Sequence, residues 1–209
     1  MSPDAAAPPG RVLLDRAAVR AAVDRLAREI EADFPDGVVL VGVLKGALLF
    51  CADLARAIDA VDVLVDFLAI SRYAPDSGRV RIVCDVSLDL SGRDVVVVED
   101  LIDTGLTASY LVRYVEALGA RRIELCTLLD RPARRILPVA PRYVGAVIDD
   151  VFVLGGGLHH RDRYRNLPVV LEVDRAALAD PDAPLAWFAD PEERPDPGGT
   201  LAPGSEATA

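Results

Sequence analysis

The stretch VVVVEDLIDTGLTASYL (95–111) decides how this chain is read. Four valines run directly into two adjacent acids, Glu99 and Asp100. A third acid, Asp103, follows with Thr104, Gly105, Leu106 and Thr107, and apolar residues then recur at helical spacing. The valine run predicts a buried strand over 95–98, and the later spacing predicts a helix over 107–118 closed by Gly119. The turn between them has the parts of an anion site. N–H groups in the first turn of a helix have no intrahelical partner, and the helix dipole adds partial positive charge there. A phosphate suits such a turn. Gly105 lets backbone approach closely, while Thr104 and Thr107 add hydroxyl donors. The pattern is neither GxGxxG nor GxxxxGK[ST], so dinucleotide and P-loop readings lose ground. An ordinary Asp/Thr helix cap after a strand is the competing reading.

Glu99 and Asp100 tilt the choice. At a strand end where the chain is already turning, two carboxylates repel each other and cost desolvation unless they meet donors or a cation. The vicinal hydroxyls of a ribose, or a magnesium ion through water, supply such partners. A sugar diol beside a phosphate pocket describes a ribose 5-phosphate.

Outward from this stretch the periodicity alternates between strand and helix. Residues 16–34 carry Val19, Val23, Leu26 and Ile30 at helical spacing, 38–44 read as a buried strand, and 47–60 as a helix. Segments 61–70, 79–86, 123–129, 143–148 and 151–154 read as further strands. Near-continuous apolar strands alternating with helices imply an α/β fold with a mostly parallel central sheet covered on both faces. Ligands of such sheets bind beyond the carboxyl ends of the strands, where the acids fall.

Composition narrows the function classes. The chain has 209 residues, enough for one domain with a sizeable core, and is 52% hydrophobic and 27% charged. A net charge of −10 argues against a general nucleic-acid binder, which needs a basic face. No apolar run reaches the roughly eighteen residues of a membrane span, so no membrane partner and a cytoplasmic location are expected. Cys51, Cys84 and Cys126 lack metal-ligand spacing and are expected as reduced, mostly buried thiols. Residues 1–10 read as a flexible N-terminus and 176–209 as a Pro-, Ala- and acid-rich tail, leaving a domain over 11–175.

VVVVEDLIDTGLT resembles the signature of the type I phosphoribosyltransferases, which bind 5-phosphoribosyl 1-pyrophosphate (PRPP). LVGVLKGALLFCADLARAI (40–58), VDFLAISRY (65–73), CTLLDRPARR (126–135), FVLGGGL (152–158) and YRNLP (164–168) fall in the order seen in the hypoxanthine-guanine branch. The resemblance covers roughly 12–173. It implies a parallel sheet with a small hood built from N- and C-terminal segments, magnesium as cofactor, and a homodimer or homotetramer. It also implies roles. Glu99 and Asp100 would hold the ribose hydroxyls and the metal, Asp103 would be the acid/base group facing purine N7, and backbone from Thr104 through Gly105 and Leu106 to Thr107 would cradle the 5-phosphate. Lys45 and Gly46 would line the pyrophosphate site, where the Leu-Lys step can adopt a non-proline cis peptide, and Arg165 would reach the same group. Phe152 would stack on the purine and Val153 would offer backbone groups to its edge.

Three departures stand out. The family's Lys at the purine 6-oxo group is here Arg131, whose planar fork is not equivalent to an ammonium. The Asp that follows Gly-Leu in the family is here His159, followed by His160. The mobile lid keeps Ser71 and Tyr73 but is shortened and gains Pro75. The leading expectation is transfer of the phosphoribosyl group of PRPP to hypoxanthine or guanine, giving the nucleotide and pyrophosphate. A transferase with another base preference and a non-catalytic PRPP or nucleotide sensor are the alternatives. The sensor reading is the poorer one, because neither a basic face nor an added binding domain is in sight.

Overall fold

The computed structural model describes residues 10–71 and 81–178. Its main body is a six-stranded sheet in the order β4-β3-β2-β5-β6-β7. The strands are β2 (Val38–Leu44), β3 (Val63–Ser71), β4 (Arg81–Cys84), β5 (Asp94–Ile102), β6 (Arg122–Asp130) and β7 (Tyr143–Val147). All neighbouring pairs are parallel except β3 and β4, which run antiparallel at the edge. The mostly parallel sheet expected from the strand patterns is therefore present.

Helices cover both faces. Helices α1 (Arg16–Asp33) and α2 (Leu48–Ala57) lie on one side, and α3 (Leu106–Ala117) on the other. Asp15 opens α1 by accepting from Ala18 N at 2.7 Å, and the stripe Ala22, Val23, Leu26, Ala27 and Ile30 is its buried face. The valines of β5 alternate between the two layers. Val96 and Val98 pack with α1 and α2, while Val95 and Val97 pack with Leu111 and Val115 of α3. All four valines have 0% exposure, which explains a run with no polar alternation.

A second, three-stranded antiparallel sheet, ordered β1-β9-β8, forms the hood from both chain ends. It contains β1 (Gly10–Leu14), β8 (Val153–Leu154) and β9 (Val170–Val173). Leu154, Tyr164, Leu167, Leu171 and Leu178 form its own core. One strand expectation changes here, and β1 and β9 are strands that the sequence reading did not name. The run 151–154 is strand only at Val153–Leu154 and belongs to the hood, whereas β1 and β9 carry no strong periodicity of their own and pair only with distant partners. One thiol departs as well. Cys51 and Cys126 are buried, but Cys84 is exposed because β4 is an edge strand with a single neighbour. Among the described residues, no helix is long and apolar enough to cross a membrane.

Candidate active site

The carboxyl ends of β2, β5 and β6 open on one cavity of about 570 Å³. Lys45 and Gly46 enter it after β2, and Glu99, Asp100, Asp103 and Thr107 from β5 and the turn beyond. Arg131 and Arg134 follow β6, and Phe152, Val153, His159, Asp162 and Arg165 close it from the hood side. A second cavity of about 480 Å³ lies between α1, α2 and 166–168, and none of the predicted site residues lines it.

The two acids are placed differently from the expectation. β5 does not turn after Val98; it continues to Ile102. What ends at Val98 is the pairing with β2, whereas pairing with β6 runs on through Glu99↔Thr127 to Ile102↔Asp130. The acids thus sit in a strand that has lost one neighbour, and the lost side is where the cavity opens. Glu99 is nearly enclosed, at 4% exposure. The Asp100 carboxylate lies hard against Gly46, so that a β-carbon at position 46 would overlap it. The Gly46 carbonyl in turn fills the space a β-carbon would need at Gly157. The pyrophosphate-side loop and the hood loop therefore interlock through two residues without side chains. The Leu44–Lys45 peptide is cis.

Two carboxylates alone do not make a protein cage for a metal. Among the described residues, no group of three or more His, Cys, Asp or Glu side chains is arranged to hold an ion. A pair of acids lining the cavity does fit a hard divalent cation that keeps waters and takes phosphate oxygens in place of further protein ligands.

Asp103 is surrounded by arginines that follow β6. Arg131 is 5% exposed; its Nε stands 3.3 Å from Asp103 Oδ1 and its Nη1 donates to Val151 O. The first of these is an ion contact rather than a well-aligned hydrogen bond. Arg134 Nη1 lies 4.0 Å from Asp103 Oδ2, and Arg134 Nε is bonded to Asp150. Arg135 Nη1 donates to the Asp103 carbonyl at 3.1 Å, and its other Nη bonds Asp130. A buried arginine is stable only when carboxylates and carbonyls meet it, and this network supplies them.

The phosphate-type turn is built as a helix start. Gly105 takes φ of +82°, a conformation that favours glycine, and α3 begins at Leu106, one residue earlier than expected. The first intrahelical bond runs from Ser109 N to Gly105 O at 2.9 Å, so the amides of Leu106, Thr107 and Ala108 precede the ladder. Of the four turn residues, Thr107 lines the cavity. Thr104 is occupied in holding the turn: its carbonyl accepts from Ile136 N at 2.8 Å and Leu137 N at 3.1 Å. Leu106 is 51% exposed.

On the hood side, Phe152 is half-buried at the cavity wall, edge-on to the His160 ring at 6.3 Å between centroids, and Val153 is buried beside it. His159 Nδ1 accepts from Asp162 N at 3.0 Å. Arg165 Nη1 donates to Gly157 O, and its Nη2 donates to Asp162 Oδ1, both at 2.9 Å. Ser71 ends β3, while Tyr73 and Pro75 lie outside the described residues. Two charged cavity residues escaped the sequence reading. Arg134 sits in the quoted run CTLLDRPARR, where a basic cluster directly after a strand's carboxyl end was the available signal. Asp162 gave no signal, because only the folded loop brings it to Lys45.

The family described as "Phosphoribosyl transferase domain" matches residues 12–162. A hypoxanthine-guanine phosphoribosyltransferase of Bacillus subtilis is 40% identical over 164 residues, covering 77% of this chain and 91% of that protein. A crystal structure of a hypoxanthine-guanine phosphoribosyltransferase from Bacillus anthracis, with HEPES in its active site, superposes with a TM-score of 0.75 at 37% identity, over 78% of this chain and 98% of that one. The hypoxanthine phosphoribosyl transferase of Trypanosoma cruzi, solved to address how its C-terminal region affects oligomeric state and activity, gives a TM-score of 0.75 at 31% identity, over 81% and 93% of the two chains. With the sheet order, the hood and the acid-lined cavity already in view, these matches establish that the chain belongs to the phosphoribosyltransferase family, in its hypoxanthine-guanine branch.

Proposed function

We propose that the protein is a purine-salvage transferase that joins a 6-oxopurine, hypoxanthine or guanine, to the phosphoribosyl group of PRPP and releases pyrophosphate. The observation that carries this reading is the convergence of Lys45, Glu99, Asp100, Asp103 and Arg131 on one cavity at the carboxyl ends of three adjacent strands. The amides opening α3 receive the 5-phosphate, with Thr107 beside them. Glu99 and Asp100 would hold the ribose hydroxyls and a magnesium ion, which when bound would supply charge neutralisation for the leaving pyrophosphate. Lys45 and Arg165 supply fixed positive charge to the same group. As the bond from C1 of the ribose to pyrophosphate breaks, the purine N9 forms the new bond and Asp103 takes the N7 proton. Carboxylates near C1 stabilise the oxocarbenium character that develops there. Phe152 stacks on the base, Val153 pairs with its edge, and a remaining Arg131 N–H meets the 6-oxo group.

A second reading keeps the reaction and changes the base. It is favoured by Arg131, whose fork is held by Asp103 and Val151, and by His159, which stands where the family has a carboxylate. One experiment tests both: pyrophosphate release from PRPP with hypoxanthine, guanine, xanthine and a panel of other bases, with and without magnesium. Release with a 6-oxopurine supports the first reading, release only with another base supports the second, and none with any base refutes both. A cytoplasmic homo-oligomer completes the proposal; exposed Leu48 and Leu49 on α2, at 42% and 43%, are the kind of surface a second copy covers.

A further inference from the structure

Asp162 occupies a turn poorly suited to its residue types. His160 and Arg163 close the turn with backbone bonds of 3.0 and 3.3 Å, and the two central residues, Arg161 and Asp162, have φ of +51° and +62°. Two-residue turns with both φ positive favour Asn-Gly or Gly-Gly, since a β-carbon is disfavoured there. Such a conformation persists where surrounding contacts over-determine it, and it concentrates at functional loops.

Those contacts are with cations. Asp162 Oδ1 accepts from Arg165 Nη2 at 2.9 Å and stands 3.7 Å from Lys45 Nζ. The Arg165 hydrogen bond, followed by the Lys45 charge, holds the Asp162 carboxyl below the usual range, so it is an anion at neutral pH. Lys45 and Arg165, the two basic residues assigned to pyrophosphate, are therefore both met by one carboxylate of the chain itself.

We propose that Asp162 is a resident counter-anion of the pyrophosphate subsite: it holds Lys45 and Arg165 while the subsite is empty, gives way when PRPP or pyrophosphate binds, and so sets the affinity for both. The proposal rests on the transferase reading and adds to it a residue that acts by competition. Left in place beside pyrophosphate, Asp162 repels it; displaced, it surrenders its ion pairs. Both side chains of the Lys45 pair are well exposed, at 72% and 65%, so displacement is easy and the effect is modest.

Asp162→Asn tests this without disturbing the turn, because asparagine tolerates positive φ well. Calorimetric titration with pyrophosphate and with PRPP at low ionic strength and constant magnesium should show binding about two- to fivefold tighter than wild type, the size expected for exposed ion pairs. The KM for PRPP should fall while that for the base is unchanged, and Asp162→Glu should behave as wild type. The gain should shrink on adding salt and in a Lys45→Ala background. Equal or weaker pyrophosphate binding by Asp162→Asn overturns this proposal alone. Failure of wild type and variant alike to bind either ligand overturns the transferase reading and this proposal with it.

Discussion

The strand β5 carries an acid near each end, and the two ends treat their acids in opposite ways. At its start, Asp94 is clamped by Arg121 through bonds of 2.9 and 2.6 Å. That clamp holds the Asp94 carboxyl below its usual range. At the end of α1, Asp33 likewise accepts from Arg142 and from the Tyr143 hydroxyl, each at 2.6 Å. Towards the far end of β5, Glu99 and Asp100 line a cavity, and the Asp100 carboxylate packs against Gly46. One strand thus holds a carboxylate clamped by an arginine and, at its other end, two carboxylates lining a cavity. Residue type does not separate them; strand pairing does, since β5 is paired with β2 from Val95 to Val98 and no longer at Glu99.

The contrast can be broken by substitution, and the largest effect should come from the cavity end. Asp103→Asn should lower kcat by about 10²- to 10⁴-fold while PRPP still binds, as expected for loss of a proton-transfer group; steady-state kinetics beside a PRPP titration decide it. Gly46→Ala comes next. The added methyl must push the Asp100 carboxylate aside, and overpacking of this kind costs about 1–3 kcal/mol. Thermal unfolding should register that loss, and PRPP turnover should fall with it.

The sharpest comparison swaps the two ends directly. Asp100→Asn should weaken PRPP binding and leave Tm unchanged or raised, because it removes one charge from an adjacent pair. Asp94→Asn should lower Tm by a few degrees and leave kcat unchanged. If both variants behave alike, the division between the two ends is wrong. The smallest effect concerns pH. Arg142, with help from Tyr143, lowers the Asp33 pKa to about 2. A depressed carboxylate stabilises the fold above its unfolded pKa of about 3.9, and that contribution is lost as pH falls through the folded value. Asp33→Asn should therefore cost about 1 kcal/mol or less at neutral pH, since the Arg142 partner is solvent-exposed. Urea melts should show wild type and variant converging as pH approaches the folded pKa.

How much of this was legible follows from how far apart the parts lie in sequence. The turn after β5 is contiguous, so its strand, its glycine, its acids and its helix could be read in one pass. Lys45 was found because it follows a strand that is plainly apolar, and Arg131 because it stands where the resembled family has a lysine. The hood was harder. Strands β1 and β9 are short and acquire their identity from pairing with each other, Gly10 with Val173, across nearly the whole domain. An apolar run such as 151–154 announces burial without saying in which sheet. The strand assignment of Glu99 and Asp100 failed for a related reason: sequence shows where apolar residues stop, but not that β5 goes on pairing with β6 after its pairing with β2 has stopped. Asp162 is the extreme case, visible only once a tight turn has folded it back onto Lys45.

The unequal burial of the cysteines has a practical consequence. Burial pushes the Cys51 thiol up to about 12 and the Cys126 thiol higher still, so both resist forming the thiolate that alkylating reagents need. Cys84 stands open on the edge strand that follows the 72–80 segment. A maleimide dye at neutral pH should couple at that position in the unaltered chain, placing an optical reporter on the strand beside the lid-type sequence and requiring no mutation at all.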